Sequence, residues 1–163
     1  MQHTISVLTE DHPGVLSRIS GLVSRRGYNV NSLSVGKTDR KGLSRFTIVV
    51  NGDDRSVDQI VRQLEKLVEA VDVKLLSTNP FVERWMTLVK VRASRETRPH
   101  ILQTAEMFRS RVVDVGEDEL VLESTGDRGK VEAFIEAVKP YGILEMASSG
   151  AVAMQRGGFG GTI

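Results

Sequence analysis

Residues 10–33, EDHPGVLSRISGLVSRRGYNVNSL, decide the fold, because a turn, a helix and the start of a strand follow one another within them. Pro13 suits the first turn of a helix, where its missing amide hydrogen has no partner to lose. Gly14 does not suit it. Inside a first turn glycine costs about 0.5–1 kcal/mol relative to alanine, so something other than helix propensity asks for it. Val15, Leu16, Ile19, Leu22 and Val23 then recur on one face at helical spacing, with Ser17, Arg18, Ser24 and Arg25 opposite. Gly27 stands where a glycine commonly ends a helix.

Before this stretch, HTISVLT (3–9) alternates as a strand does; after it, YNVNSLSVG and RFTIVVNG read as two strands joined by the polar turn TDRKG. GDDRSVDQIVRQLEKLVEAV follows. Val57, Ile60, Val61, Leu64, Leu67 and Val68 mark one apolar stripe along it, and Asp54 or Ser56 can cap its start, Ser56 with Gln59 three residues on. VDVKLLS closes the half as a strand, giving the order β-α-β-β-α-β. Beyond the polar break STNP (77–80) the order repeats. ERWMTLVKVRA is a strand, and a helix from about Thr97 turns Ile101, Leu102, Ala105 and Phe108 inward. RVVDVGEDELVLES is a hairpin, Val131, Phe134, Ile135 and Val138 define another helix, and ILEMASSGAVAM offers a last strand. The fold class predicted is α+β: two tandem ferredoxin-like βαββαβ domains, residues 1–78 and 79–163, each with two helices on one face of a four-stranded antiparallel sheet. Ile5, Val7, Val30, Leu33, Val35, Phe46, Ile48 and Val50 are expected to leave apolar surface that self-association or docking would cover. The tail RGGFGGTI reads as disordered.

At 163 residues the chain is long enough for a real core, burying roughly 68–70% of its unfolded surface. Lys and Arg number 22 against 21 Asp and Glu, a balance that offers no global field for nucleic acid or an anionic membrane. No cysteine is present, which excludes disulfides and thiolate chemistry and suits a reducing, cytoplasmic setting. The first residues lack the pattern of a signal peptide, and no apolar run reaches membrane-spanning length. His3, His12 and His100 lie on different elements without metal-ligand spacing, so no metal is expected. Walker and Rossmann glycine motifs and a nucleophile elbow are missing. An RNA-binding ferredoxin-like sheet needs stacking aromatics on its central strands, and aromatics make up only 5% of this chain. Arg25-Arg26 reads as a solvated helix end. No catalytic constellation emerges.

The motif ExxPGVLSRIxGLxxRRGYNxxSL closely resembles the N-terminal ACT domain of the small, regulatory subunits of acetolactate synthase. The resemblance continues in family order through LSRFTIVV (43–50), QIVRQLEKLVEAVDV (59–73), VERWMTLVKV (82–91), MFRSRVVDV (107–115) and TGDRGKVEAF (125–134), nearly the whole chain. It implies a non-catalytic subunit that activates a larger thiamine-diphosphate-dependent subunit and confers feedback inhibition by a branched-chain amino acid, usually valine. Thiamine diphosphate, magnesium and FAD would belong to that catalytic partner, and this chain would carry no cofactor. It further implies a homodimer through the ACT domains, with the effector where two domains meet side by side.

A free amino acid presents a carboxylate, and a helix start presents unpaired amides with partial positive charge. The implied valine site is therefore Asp11, His12, Pro13, Gly14, Val15 and Leu16, with Asn29, Val30 and Leu33. Gly14 lets the ligand approach the amides, Asp11 and Asn29 offer oxygens to the ammonium, and Val30 and Leu33 of the neighbour wall the isopropyl group. Plainer roles stand beside these: relief of helix–strand crowding for Gly14, helix-dipole complementarity for Asp11, a turn for Asn29, and core or interface for Val30 and Leu33. A stand-alone amino-acid sensor of the same domain type, acting on another enzyme or a transcription factor, is the alternative.

Overall fold

The structure, a computed structural model, describes residues 1–158. It is α+β, with two antiparallel sheets. In the first unit the elements are β1 (Gln2–Glu10), α1 (Val15–Arg25), β2 (Asn29–Lys37), β3 (Leu43–Asn51), α2 (Asp54–Glu65) and β4 (Ala70–Leu75). The strands lie in the order β2-β3-β1-β4, so β2 and β4 are the edges. Cross-strand pairs Ile5–Ile48 and Val7–Phe46 set the helix-facing side, where they join Val50, Val15, Ile19, Val23, Val57, Ile60 and Leu64 in one core. Val30 and Leu33 pack against the same core from β2. Their odd spacing is reconciled by a bulge: Val30 opposes Val50 and Ser32 opposes Val49, leaving Asn31 as the extra residue.

The residues expected to leave a sticky sheet surface are thus, except for half-exposed Val35, the helix-facing core itself. The opposite face mixes polar residues with buried Leu8 and Val49. Thr4, Ser6, Thr47 and Ser34 point there, yet Thr4, Ser6 and Thr47 are all buried. The expected apolar sheet surface is therefore mostly the core, and the second face is largely withdrawn from solvent.

The second unit, Glu83–Ser149, holds most of β5 (Phe81–Arg92), then α3 (Arg98–Met107), β6 (Arg111–Val115), β7 (Glu119–Gly126), α4 (Arg128–Val138) and β8 (Ile143–Ser148), in strand order β6-β7-β5-β8. Its core gathers Val89, Val91, Ile101, Ala105, Leu120, Leu122, Phe134 and Val138. Phe108 meets the edge of Phe134 with ring centres 5.7 Å apart.

Several local expectations need correction. Leu102 is turned outward, because Ile101, Ala105 and Phe108 already fill the inward stripe and Leu102 lies about 100° away from Ile101. Val68 is exposed because α2 ends at Glu65. The cap of α2 is Asp53, whose carboxylate accepts from the Ser56 amide at 2.8 Å. The expected last strand is two: β8 stays in the second unit, and β9 (Val152–Gln155) belongs to the first. From Gly150 onward the chain is part of the first unit, whereas the sequence boundary assigned everything beyond residue 78 to the second domain. Ser34 Oγ donates to the Ala151 carbonyl, and the Pro80 carbonyl accepts from Arg156 N at 3.1 Å and Gln155 Nε2 at 2.9 Å. Of the glycine-rich tail, residues 159–163 lie outside the described residues.

Candidate functional site

The helix start at residues 11–16 is built around Gly14, the residue immediately before α1, with φ +88° and ψ −6°. That left-handed conformation explains the glycine first: an L side chain there would be strained. The sequence reading placed Gly14 inside the first helical turn; it stands one residue outside. The Arg18 amide donates back to the Gly14 carbonyl at 2.9 Å, which begins the regular helical ladder. The Leu16 and Ser17 amides precede that ladder, no side chain caps the helix from Gly14, and the first turn holds no acidic residue. Asp11, His12, Pro13 and Gly14 are exposed, Leu16 is half-exposed, and Val15 is buried in the core beneath them. The Asp11 amide is fixed by the Gly42 carbonyl at 2.8 Å, and His12 Nε2 lies 2.7 Å from Glu10 Oε2.

Two further residues reach this point. Arg18 extends over Gly14, its Nη1 3.3 Å from where a Cβ on Gly14 would sit, and it pairs with the carboxylate of Glu69. Sequence reading missed both. Their one signal is that Arg18 is four residues beyond Gly14 and so stacks over the helix start; Glu69 comes from a distant segment.

The remaining predicted residues lie elsewhere. Asn29 opens β2 opposite Asn51, which also pairs with Gln2 at the beginning of β1. Gly14 follows the other end of β1, next to Glu10 and Leu43. The steps between the nine residues of β2, at about 3.3 Å each, separate the two ends by about 26 Å. Within one chain, Asn29 therefore cannot share a small ligand with Asp11 and Gly14. Val30 and Leu33, on the inner face of β2, are partly buried against their own core.

Among the described residues no group of three His, Asp or Glu side chains is placed to hold a metal ion, and no helix is long and apolar enough to cross a membrane.

The profile of small-subunit-like ACT domains of acetohydroxyacid synthase matches residues 5–72, and that described as the small subunit of acetolactate synthase matches residues 84–157. A probable acetolactate synthase small subunit of Archaeoglobus fulgidus is 50% identical over 96% of this chain and 98% of its own length. This chain belongs to the acetolactate synthase small-subunit family. The Mycolicibacterium smegmatis member is 46% identical over 95% of this chain and 91% of its own. The crystal structure of the Thermotoga maritima small subunit superposes with a TM-score of 0.87 at 42% identity, covering 96% of this chain and 98% of that one. Two tandem βαββαβ units are thus the family's architecture, and the segments 43–50, 59–73, 82–91, 107–115 and 125–134 lie within the matched span.

Proposed function

We propose that this small subunit binds a branched-chain amino acid, valine first, between the helix starts of two copies, and through it regulates a catalytic acetolactate synthase subunit that it also activates. The observation that carries this reading is the exposed, uncapped start of α1 at Gly14, paired with the distant position of Asn29. The α-carboxylate is held by the Leu16 and Ser17 amides, approached over the bare Cα of Gly14. The ammonium meets Asp11 and, from the second copy, Asn29.

Symmetry supports the second copy. β2 is an edge strand spanning Asn29–Lys37, with Leu33 at its midpoint. Pairing β2 antiparallel with its twin about Leu33 carries Asn29 of each copy to the Lys37 end of the other, the end where α1 begins. Neither copy then owns a complete site, and ligand and dimer are thermodynamically linked. The thiamine diphosphate, magnesium and FAD chemistry remains with the catalytic subunit.

The test is to add the protein to its matching catalytic subunit and measure acetolactate formation with and without valine. Stimulation that valine reverses is the expected result. Valine binding without stimulation would favour a stand-alone sensor, and absence of both would remove the proposal.

A further inference from the structure

The second face of the first sheet carries a feature that the effector site does not use. Lys74 on β4 opposes Ser6 on β1, and Arg45 on β3 opposes Leu8, so two cations flank β1 on the face away from the helices. Arg45 Nη1 donates to Ser6 Oγ at 2.8 Å. These residues floor a cavity of about 320 Å³, which the hairpin residues Asp39 and Arg40 edge and the returning segment roofs with Ala153, Gln155 and Arg156. The whole lining belongs to the first unit.

Its lining side chains include four cations, Arg40, Arg45, Lys74 and Arg156, against one carboxylate, Asp39. Asp72, beside Lys74 on the same face, lies 3.6 Å from its ammonium and offsets part of that charge. Among the described residues, none of Arg40, Arg45 and Arg156 pairs with a carboxylate. The chain as a whole is nearly neutral, so this concentration of one sign is local. Lys74 and Arg45 are partly withdrawn from water, Arg40 and Arg156 are exposed at the rim, and Ser6 is buried. Like charges gathered around a partly desolvated cavity repel one another, and an anion between them relieves that repulsion. The volume suits a small molecule.

We propose that this cavity is a second ligand site, distinct from the helix start, for a small anion bearing at least two negative charges. Arg45 supplies a planar fork for an anionic oxygen, Lys74 a point charge across β1, and Arg156 closes from the roof. Because Arg156 belongs to the returning segment, bound anion would also tie that segment to the sheet.

Titration of the full-length protein with inorganic pyrophosphate, at constant ionic strength, tests this. Saturable binding is expected, weakened at least about tenfold in Arg45→Gln and in Arg156→Gln and unchanged in Arg62→Gln, an exposed cation on α2. Arg156 is exposed, so its variant retains the fold if Arg45→Gln does not. A parallel titration with citrate separates a phosphoryl ligand from a polycarboxylate by which anion binds more tightly. No saturable binding of either anion, or equal binding by all three variants, would overturn the proposal.

Discussion

Arg18 of α1 is ion-paired with Glu69, just before β4, and the Glu69 side chain is only 13% exposed. The pair lies over Gly14, so the helix start is held to the α2–β4 connection, whose Glu69 carbonyl also accepts from the Glu10 amide at 2.9 Å. Arg18→Met would leave a nearly buried carboxylate without its cation, costing about 1–2 kcal/mol in urea unfolding. Glu69→Gln, which keeps an acceptor for Arg18, should cost less. Equal costs would show that a neutral acceptor does not replace the charge at position 69.

Gly14→Ala tests the backbone alone. At φ +88° an alanine is strained by about 1–2 kcal/mol, while its Cβ would meet only the mobile end of Arg18 at 3.3 Å. Thermal unfolding should therefore fall through strain rather than collision. Gly14→Asp adds a carboxylate at the amides and should abolish any rise in Tm caused by valine. A valine shift surviving in Gly14→Asp would place the effector elsewhere.

Asp53 gives a pH signature. Its hydrogen bonds from the Ser56 side chain and amide hold its carboxyl below the ordinary aspartate value. A lowered folded value means stability fully present above the unfolded pKa and lost as pH falls through the folded one. Asp53→Asn should thus unfold earlier than wild type at neutral pH, with the gap narrowing below about pH 4. A constant gap across an acid titration of Tm would contradict this.

Phe134 is fully buried and touches Phe108 edge to face. Phe134→Ala should cost the second unit about 3–5 kcal/mol. Hydrogen exchange should show the loss on β5, β7 and α4; protection lost evenly along the chain would mean that the units unfold as one.

Gly150 is where the chain returns to the first unit. A Cβ there would lie 3.0 Å from Ser34 Cβ and 3.4 Å from the Leu33 backbone. Gly150→Val must push the returning segment off β2, breaking the Ser34–Ala151 hydrogen bond, and should destabilise by about 1–3 kcal/mol. Unaltered exchange at β2 would show that the segment is held by other contacts.

The sequence carried its helices and strands plainly wherever one face is apolar. The stripe Val57-Ile60-Leu64 and the cross-strand set Ile5, Val7, Phe46 and Ile48 are both read from spacing alone and both form core. What spacing does not reveal is dihedral angle, register and distance. Gly14 looks like a helix residue until its positive φ is known. Val30 and Leu33 look like opposite faces until the bulge at Asn31 is counted. Asn29 looks close to Asp11 in the motif, yet β2 carries it to the far end of the sheet. The Arg18–Glu69 pair and the return of β9 join segments far apart in sequence, and composition leaves no trace of either.

That return imposes an order on synthesis. Met1–Val82 leave the ribosome on the order of seconds before Gly150 does, at about 5–20 residues per second. During that interval the nascent sheet already has its helices, but Ser34 still lacks the Ala151 carbonyl. The first unit is completed only by residues translated some seventy positions after its own body.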